Sequence, residues 1–349
     1  MRTIRWEDGA VILINQRKLP EKLEYIQCRN IQRVVKAIKN LEIRGAPAIG
    51  VAAAMALALR AYHSEAETSE ELSRELCEAS EVLKRTRPTA WNLFWAVDRI
   101  LDFARSFEGH VKELKEAIVT LAQNIAEEDI AANRQIGVYG SSLIKENDVI
   151  GTICNAGWLA TAGEYGTALG VVKVAYEQGK KVSVIAMETR PVLQGARLTA
   201  WELRQDNIPV RVIADGALGF CLSKGMIDKM VVGADRVVVK DGCFVFNKIG
   251  TYMAAMACRR HNVPFYVAAP ISTFDFNNRL KDIVVEERDQ REVTYILNRR
   301  ITPDGVAAFN PAFDITPPQL VDAFITERGL VYPPFRESVL KLCQRTVMP

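Results

Sequence analysis

The stretch DVIGTICNAGWLATAGEYGTALGVVKVAYEQGKKVSVIAME, Asp148 to Glu188, carries the grammar of the fold. An apolar, β-rich run (DVIGTIC) is followed by an amphipathic helix pattern (GTALGVVKVAYEQGK) and a second β-rich run (KVSVIAME). Strands so continuously apolar are buried on both faces, and a helix between two of them implies parallel pairing through a crossover. The alternation continues to about residue 270. VRVIAD, KMVVGADRVVV and PFYVAAP read as further strands, and GARLTAWELRQDN, ALGFCLSKGMI and IGTYMAAMACRRHN as helices. The KDG turn after the fourth strand marks a local hairpin. The expectation is a parallel sheet covered by helices on both faces.

Upstream the pattern differs. AVILINQRKLPEKLEYIQC reads as short strands and turns with a Pro break. From about residue 30 to about 143 helical spacing dominates, beginning with NIQRVVKAIKNL, where Asn30 can cap the first turn. AIGVAAAMALALRAY is too short for a membrane span and rich in alanine, so it reads as a buried core helix. Two domains are expected: residues 1–125, short strands then helices, and residues 126–349, the strand–helix alternation.

Composition narrows the function. The 349 residues carry 45 basic and 42 acidic side chains, a net charge of +3, with no basic cluster of the kind nucleic acid requires. The first twenty residues are charged throughout and lack the apolar core of a secretory signal. Seven scattered cysteines, with no C-x-x-C pair, fit a reducing compartment, hence a cytoplasmic location. No Cys/His spacing suits a metal and no glycine-rich fingerprint suits a dinucleotide, so neither metal nor cofactor is expected. The three histidines, His63, His110 and His261, fall near helix ends and read as surface or capping residues. Acid–base chemistry then rests on carboxylates, lysine or thiol.

Ligands of open parallel sheets bind outside the carboxyl ends of the strands. Residues there include Cys154-Asn155, Thr189, Asp215, Asp235 and Pro270, with Asn247-Lys248 after the hairpin. Cys154 reads either as a small packed hydrophobe or as a thiol activated by amides of a following helix. Asp235, inside an apolar run, must be paired, for example with Arg236, or held protonated as a general acid. RGAPAIG (44–50) places Arg44 and a glycine ahead of a helix with Pro47 in its first turn, a credible anion site. Arg87-Pro88 repeats that arrangement, and Lys248 adds a third cation.

RGAPAIG, TRPTAWNLFWA, CNAGWLAT, GTALGV, ETRPVLQGARLTAWEL, GADRV, NKIGTY, PFYVAAP and NPAFDITPP occur in this order. Together they make the chain resemble, over nearly its whole length, the S-methyl-5-thioribose-1-phosphate isomerases, relatives of the α, β and δ subunits of translation initiation factor 2B. The resemblance implies an α/β protein: a Rossmann-like C-terminal domain beside a smaller, mostly helical N-terminal one, in a homodimer. It implies an aldose–ketose isomerase of methionine salvage acting on a sugar phosphate. The family's catalytic thiol and carboxylate fall on Cys154 and Asp235. Its substrate-binding residues fall on Arg44, Gly45, Ala46, Arg87, Gln194, Asn247 and Lys248. Many members have His before the cysteine, where this chain has the apolar Ile153. Relatives acting on 5-deoxyribose 1-phosphate or ribose 1,5-bisphosphate, and non-enzymatic regulatory subunits, are the competing readings. WNLFWA is a source of aromatic lining for the methylthio group, although Trp91, Phe94 and Trp95 also suit helix packing.

Overall fold

The structure is a computed structural model that describes residues 1–87, 90–296 and 298–344. The chain opens with an antiparallel sheet of β1 (Ile4–Glu7), β2 (Ala10–Ile14) and β3 (Tyr25–Cys28). Five helices follow: α1 (Ile31–Lys39), α2 (Ala46–Tyr62), α3 (Ser69–Lys84), α4 (Trp91–Ser106) and α5 (Val111–Ser141). Asn30 caps α1 as its sequence implies, its side chain accepting from the Arg33 amide. The alanine-rich α2 is buried on every side, which is why its sequence is apolar all round. Small side chains let α4 and α5 pack closely against it. Residue 125 lies inside α5, which runs unbroken from the helical region into the sheet region and packs on α6.

The alternating part then unfolds as β4 (Val149–Thr152), α6 (Ala168–Glu177), β5 (Ser183–Met187), α7 (Ala200–Gln205), β6 (Val210–Ile213), α8 (Leu218–Ser223) and β7 (Lys229–Val232). It continues through β8 (Arg236–Val238), β9 (Phe244–Lys248), α9 (Thr251–Arg260), β10 (Phe265–Ala268) and β11 (Phe274–Asp275). The tail adds α10 (Arg291–Thr294), β12 (Tyr295–Ile296), β13 (Arg299–Arg300), β14 (Phe313–Thr316), β15 (Ala323–Thr326), β16 (Gly329–Val331) and α11 (Phe335–Gln344).

The main sheet has the order β16-β15-β10-β7-β4-β5-β6 and is parallel except for β16, which runs antiparallel to β15. Separate apolar clusters cover its two faces. One joins α5, α6 and α7 through Ile136, Leu169, Val171 and Leu203, and the other joins α8, α9 and α11 through Leu218, Cys221, Ala255 and Val339. The parallel, doubly covered sheet expected from the sequence is therefore present. No helix among the described residues is long and apolar enough to cross a membrane.

KMVVGADRVVV is not the single strand expected but two strands in two sheets. β7 ends at Val232 in the main sheet, and β8 starts at Arg236 in a second sheet of order β11-β8-β9-β14. A carboxylate cannot sit mid-strand in a sheet buried on both faces, and Gly233-Ala234-Asp235 form the break. The expected hairpin forms, with β8 and β9 antiparallel around the KDG turn. The histidines cap helices: His63 ends α2, His110 starts α5 and His261 ends α9.

Candidate active site

β4 is the first strand of the main sheet and lies inside it, with β5 on one side and β7 on the other. From β4 the chain builds outward through β5 and β6, then returns to place β7 on the opposite side. That reversal is the topological switch point where such sheets bind ligands. Cys154 follows the carboxyl end of β4, and Asp235 follows that of β7. Both line one cavity, together with Arg44, Gly45, Ala46 and Asn247.

Cys154 is half-buried with φ +66°, a left-handed conformation unusual for a residue with a side chain. Two threonines pin it. The Cys154 amide donates to Thr189 Oγ1 at 2.8 Å, and Thr199 Oγ1 donates to the Cys154 carbonyl at 2.7 Å. Thr199 ends a π-helical turn, Gly195–Thr199, ahead of α7; turns of this kind are frequent at functional sites. The amides expected from a following helix are not there. A loop with one 3₁₀ turn, Trp158–Ala160, comes first, and α6 begins only at Ala168.

The nearby helix N-terminus is instead that of α2. Gly45 caps it at φ +98°, with Pro47 in the first turn. A Cβ at Gly45 would come within 2.5 Å of the Ala160 backbone, so glycine is required both for the turn and for the close approach. Gly45, Ala46 and Pro47 line the cavity, which brings the positive end of a 17-residue helix to it. Arg44 reaches across: Nη1 donates to Asn155 Oδ1 at 3.2 Å and Nη2 to the Asn155 carbonyl at 2.6 Å.

Asp235 is half-buried. Removal from water raises its pKa above the usual carboxylate range; Lys248, Arg87 and Arg44 oppose that rise, and Glu286 adds to it. Arg236 does not pair with it but lies 3.5 Å from Asp275, over the Trp91 ring. Lys248 is buried at the end of β9, and its Nζ donates to the Ala312 carbonyl at 2.9 Å. Burial pushes its pKa down, while Cys154 and Asp235 push it up, so this ammonium acts on both groups.

Six of the nine expected residues therefore line the cavity: Cys154, Asp235, Arg44, Gly45, Ala46 and Asn247. Arg87, Gln194 and Lys248 do not. Arg87 pairs with Glu286 at 3.4 Å, within electrostatic reach of Asp235, and Pro88 beside it lies outside the described residues. Gln194 is buried ahead of the π-helical turn. Sequence reasoning missed Thr199 and Glu202. Asn155 Nδ2 donates to Glu202 Oε1 at 2.9 Å, and Glu202 is 1% exposed. A glutamate on the buried side of the TAWELRQ helix was the available signal.

A second, mostly apolar cavity shares Asp235 with the first and is lined by Arg236, Phe246, Ile283, Val284, Val285 and Phe313. Phe94 and Trp95 lie elsewhere, packed on the helical core of the first half, whereas Trp91 lies under Arg236 at the edge of this cavity.

The chain is similar over nearly its whole length to several known proteins. A methylthioribose-1-phosphate isomerase of Thermosipho africanus is 50% identical, covering 97% of each chain. A 5-methylthioribose 1-phosphate isomerase structure from Pyrococcus horikoshii OT3 superposes with a TM-score of 0.88 at 44% identity, covering 99% of this chain and 96% of that one. A structure described as translation initiation factor eIF-2B, subunit delta, from A. fulgidus gives a TM-score of 0.86 at 49% identity, covering 99% of each chain. Residues 42–333 match the model of the initiation factor 2 subunit family, and the chain belongs to that family.

Proposed function

We propose that this chain is a methylthioribose-1-phosphate isomerase, converting 5-methylthioribose 1-phosphate to 5-methylthioribulose 1-phosphate in methionine salvage. The observation that supports it most is the convergence of Cys154, Asp235 and the Arg44–Ala46 helix start on one cavity at the switch point. The phosphate ester blocks ordinary opening of the sugar ring. Asp235, whose hold on its proton is strengthened by removal from water, gives that proton to the ring oxygen as C1 becomes cationic. Hydrogen then moves from C2 to C1 beside Cys154, and the C2 hydroxyl returns a proton to the Asp235 carboxylate as the ketone forms. Arg44, the α2 amides and Lys248 hold the phosphate, with Arg87 completing the cationic wall and Asn247 contacting the sugar. Gln194 Oε1 is buried with no hydrogen-bond partner among the described residues, an acceptor suited to a substrate hydroxyl. The apolar cavity beside Asp235 suits the methylthio group.

In this reading residues 1–125 supply Arg44, Arg87 and the α2 amides, and residues 126–349 the acid, the thiol and Lys248. The enzyme is a cytoplasmic homodimer. All seven cysteines are unpaired, in keeping with a reducing compartment. Exposed Phe220 on α8, with Tyr252, Met253 and Met256 on the adjoining α9, offers an apolar face for a second copy.

The test is turnover of three sugar phosphates by the purified protein. Methylthioribose 1-phosphate should exceed 5-deoxyribose 1-phosphate and ribose 1,5-bisphosphate by about tenfold or more in kcat/KM. Turnover of none of them favours a regulatory role like that of the initiation-factor relative. A preference for the bisphosphate overturns the substrate assignment.

A further inference from the structure

Behind Arg44 lies a buried carboxyl group that the reaction does not use. Glu202 Oε1 accepts from Asn155 Nδ2 at 2.9 Å and from the Leu159 amide at 2.9 Å. Oε2 has no hydrogen-bond partner among the described residues. It abuts Gly157 Cα so closely that a Cβ there would overlap it. Because Asn155 spends its amide hydrogens on Glu202 and on Thr199 Oγ1 at 3.3 Å, its Oδ1 must turn to Arg44. Glu202, Asn155 and Arg44 thus form one line from the interior to the cavity.

We propose that Glu202 is a positioning residue that aims Arg44 through Asn155 and takes up a proton when an anion binds beside that guanidinium. The inference rests on the reading of Arg44 as part of the anion site.

The charges facing Glu202 are few. Arg44, ahead of α2, favours its ionised form, and Asp206, at the end of α7, disfavours it. Lys173 on α6 holds Asp206 at 3.0 Å. Burial is the largest influence and raises the Glu202 pKa to about 7, so both forms are populated near neutrality. An anion at Arg44 competes with the carboxylate for the same positive charge. Binding therefore raises the Glu202 pKa further, and by reciprocity a rise in pH weakens binding.

Sulfate is the probe, because it does not itself titrate near neutrality. An upward shift of one unit on binding predicts a roughly five- to tenfold fall in affinity between about pH 6 and pH 8.5. Titration calorimetry in buffers of different ionisation enthalpy should show proton uptake near pH 7 in the parent protein. Glu202→Gln should bind sulfate with little pH dependence and without proton uptake. Asp206→Asn, distant from the cavity, should move the pH midpoint down. The parent's proton uptake and the Asp206→Asn shift remain readable if Glu202→Gln does not fold. Sulfate binding that is unaffected by Arg44→Ala, or absent altogether, overturns the anion-site reading and this inference with it. Binding that needs Arg44 while the parent shows no proton uptake, or while Glu202→Gln keeps the parent's pH profile, overturns the inference alone.

Discussion

Asp235 shows how far single residues could be read. Its place in an apolar run signalled either an ion pair or a neutral acid, and the neighbour in sequence, Arg236, was the obvious partner. Arg236 instead serves Asp275, whose β11 strand lies about forty residues downstream and could not be anticipated locally. With burial as the leading cause, the Asp235 pKa is raised, so the folded state favours the neutral form. Its contribution to stability is therefore present below the ordinary aspartate range and is lost as pH rises through the raised folded value. Asp235→Asn should melt higher than the parent at alkaline pH, with the gap closing in acid. Turnover of the parent should fall as pH rises through the same range, because the acid loses its proton. Paired melting and rate profiles check both; a parent rate that climbs steadily into alkali contradicts the assignment of Asp235 as acid. Cys154 was legible by position, but its left-handed backbone and its clamp by Thr189 and Thr199 were not, because those partners lie 35 and 45 residues away.

Among the elements, α2 was the most legible. Alanine at nearly every turn announced a buried helix, and Arg44-Gly45 before Pro47 announced its N-terminus. What could not be read was the facing surface, the Ala160 backbone that makes Gly45 obligatory. Gly45→Ala should cost about 1–3 kcal/mol through backbone strain, with a further loss from the overlap, and should weaken phosphate binding. Gly216→Ala, where a Cβ meets nothing within 4 Å, is the control and should leave the melting temperature nearly unchanged. Equal melting of the two variants would show that α2 is not held this way. The helices and parallel strands of the main sheet followed from periodicity, whereas the second sheet did not. Its strands are two to five residues long and come from separated segments, so no local pattern marks them. That sheet nonetheless carries Asn247 into the cavity, and Lys248 to within electrostatic reach of Cys154 and Asp235, through β9 paired with β14.

At the scale of the molecule, the switch point explains why residues 154 and 235 share a cavity at all. β4 and β7 are neighbours, with Gly151 opposite Met230, so whatever follows their carboxyl ends must converge. The sequence made the alternation plain but not the strand order, which depends on crossovers that composition does not encode. The proposed dimer belongs at this scale too. Phe220→Asp combined with Met256→Asp should convert a sedimenting dimer to monomer; a protein already monomeric, or a dimer indifferent to both changes, removes that face from consideration. If Cys154 performs chemistry at this convergence, one set of measurements on Cys154→Ser reveals it. The substitution keeps nearly the same volume, so melting temperature and phosphate affinity should match the parent. Turnover of methylthioribose 1-phosphate should fall at least ~100-fold, the scale of losing a positioned catalytic group. Turnover at the parent rate would contradict the account and make Cys154 a packed sulfur at the end of a strand.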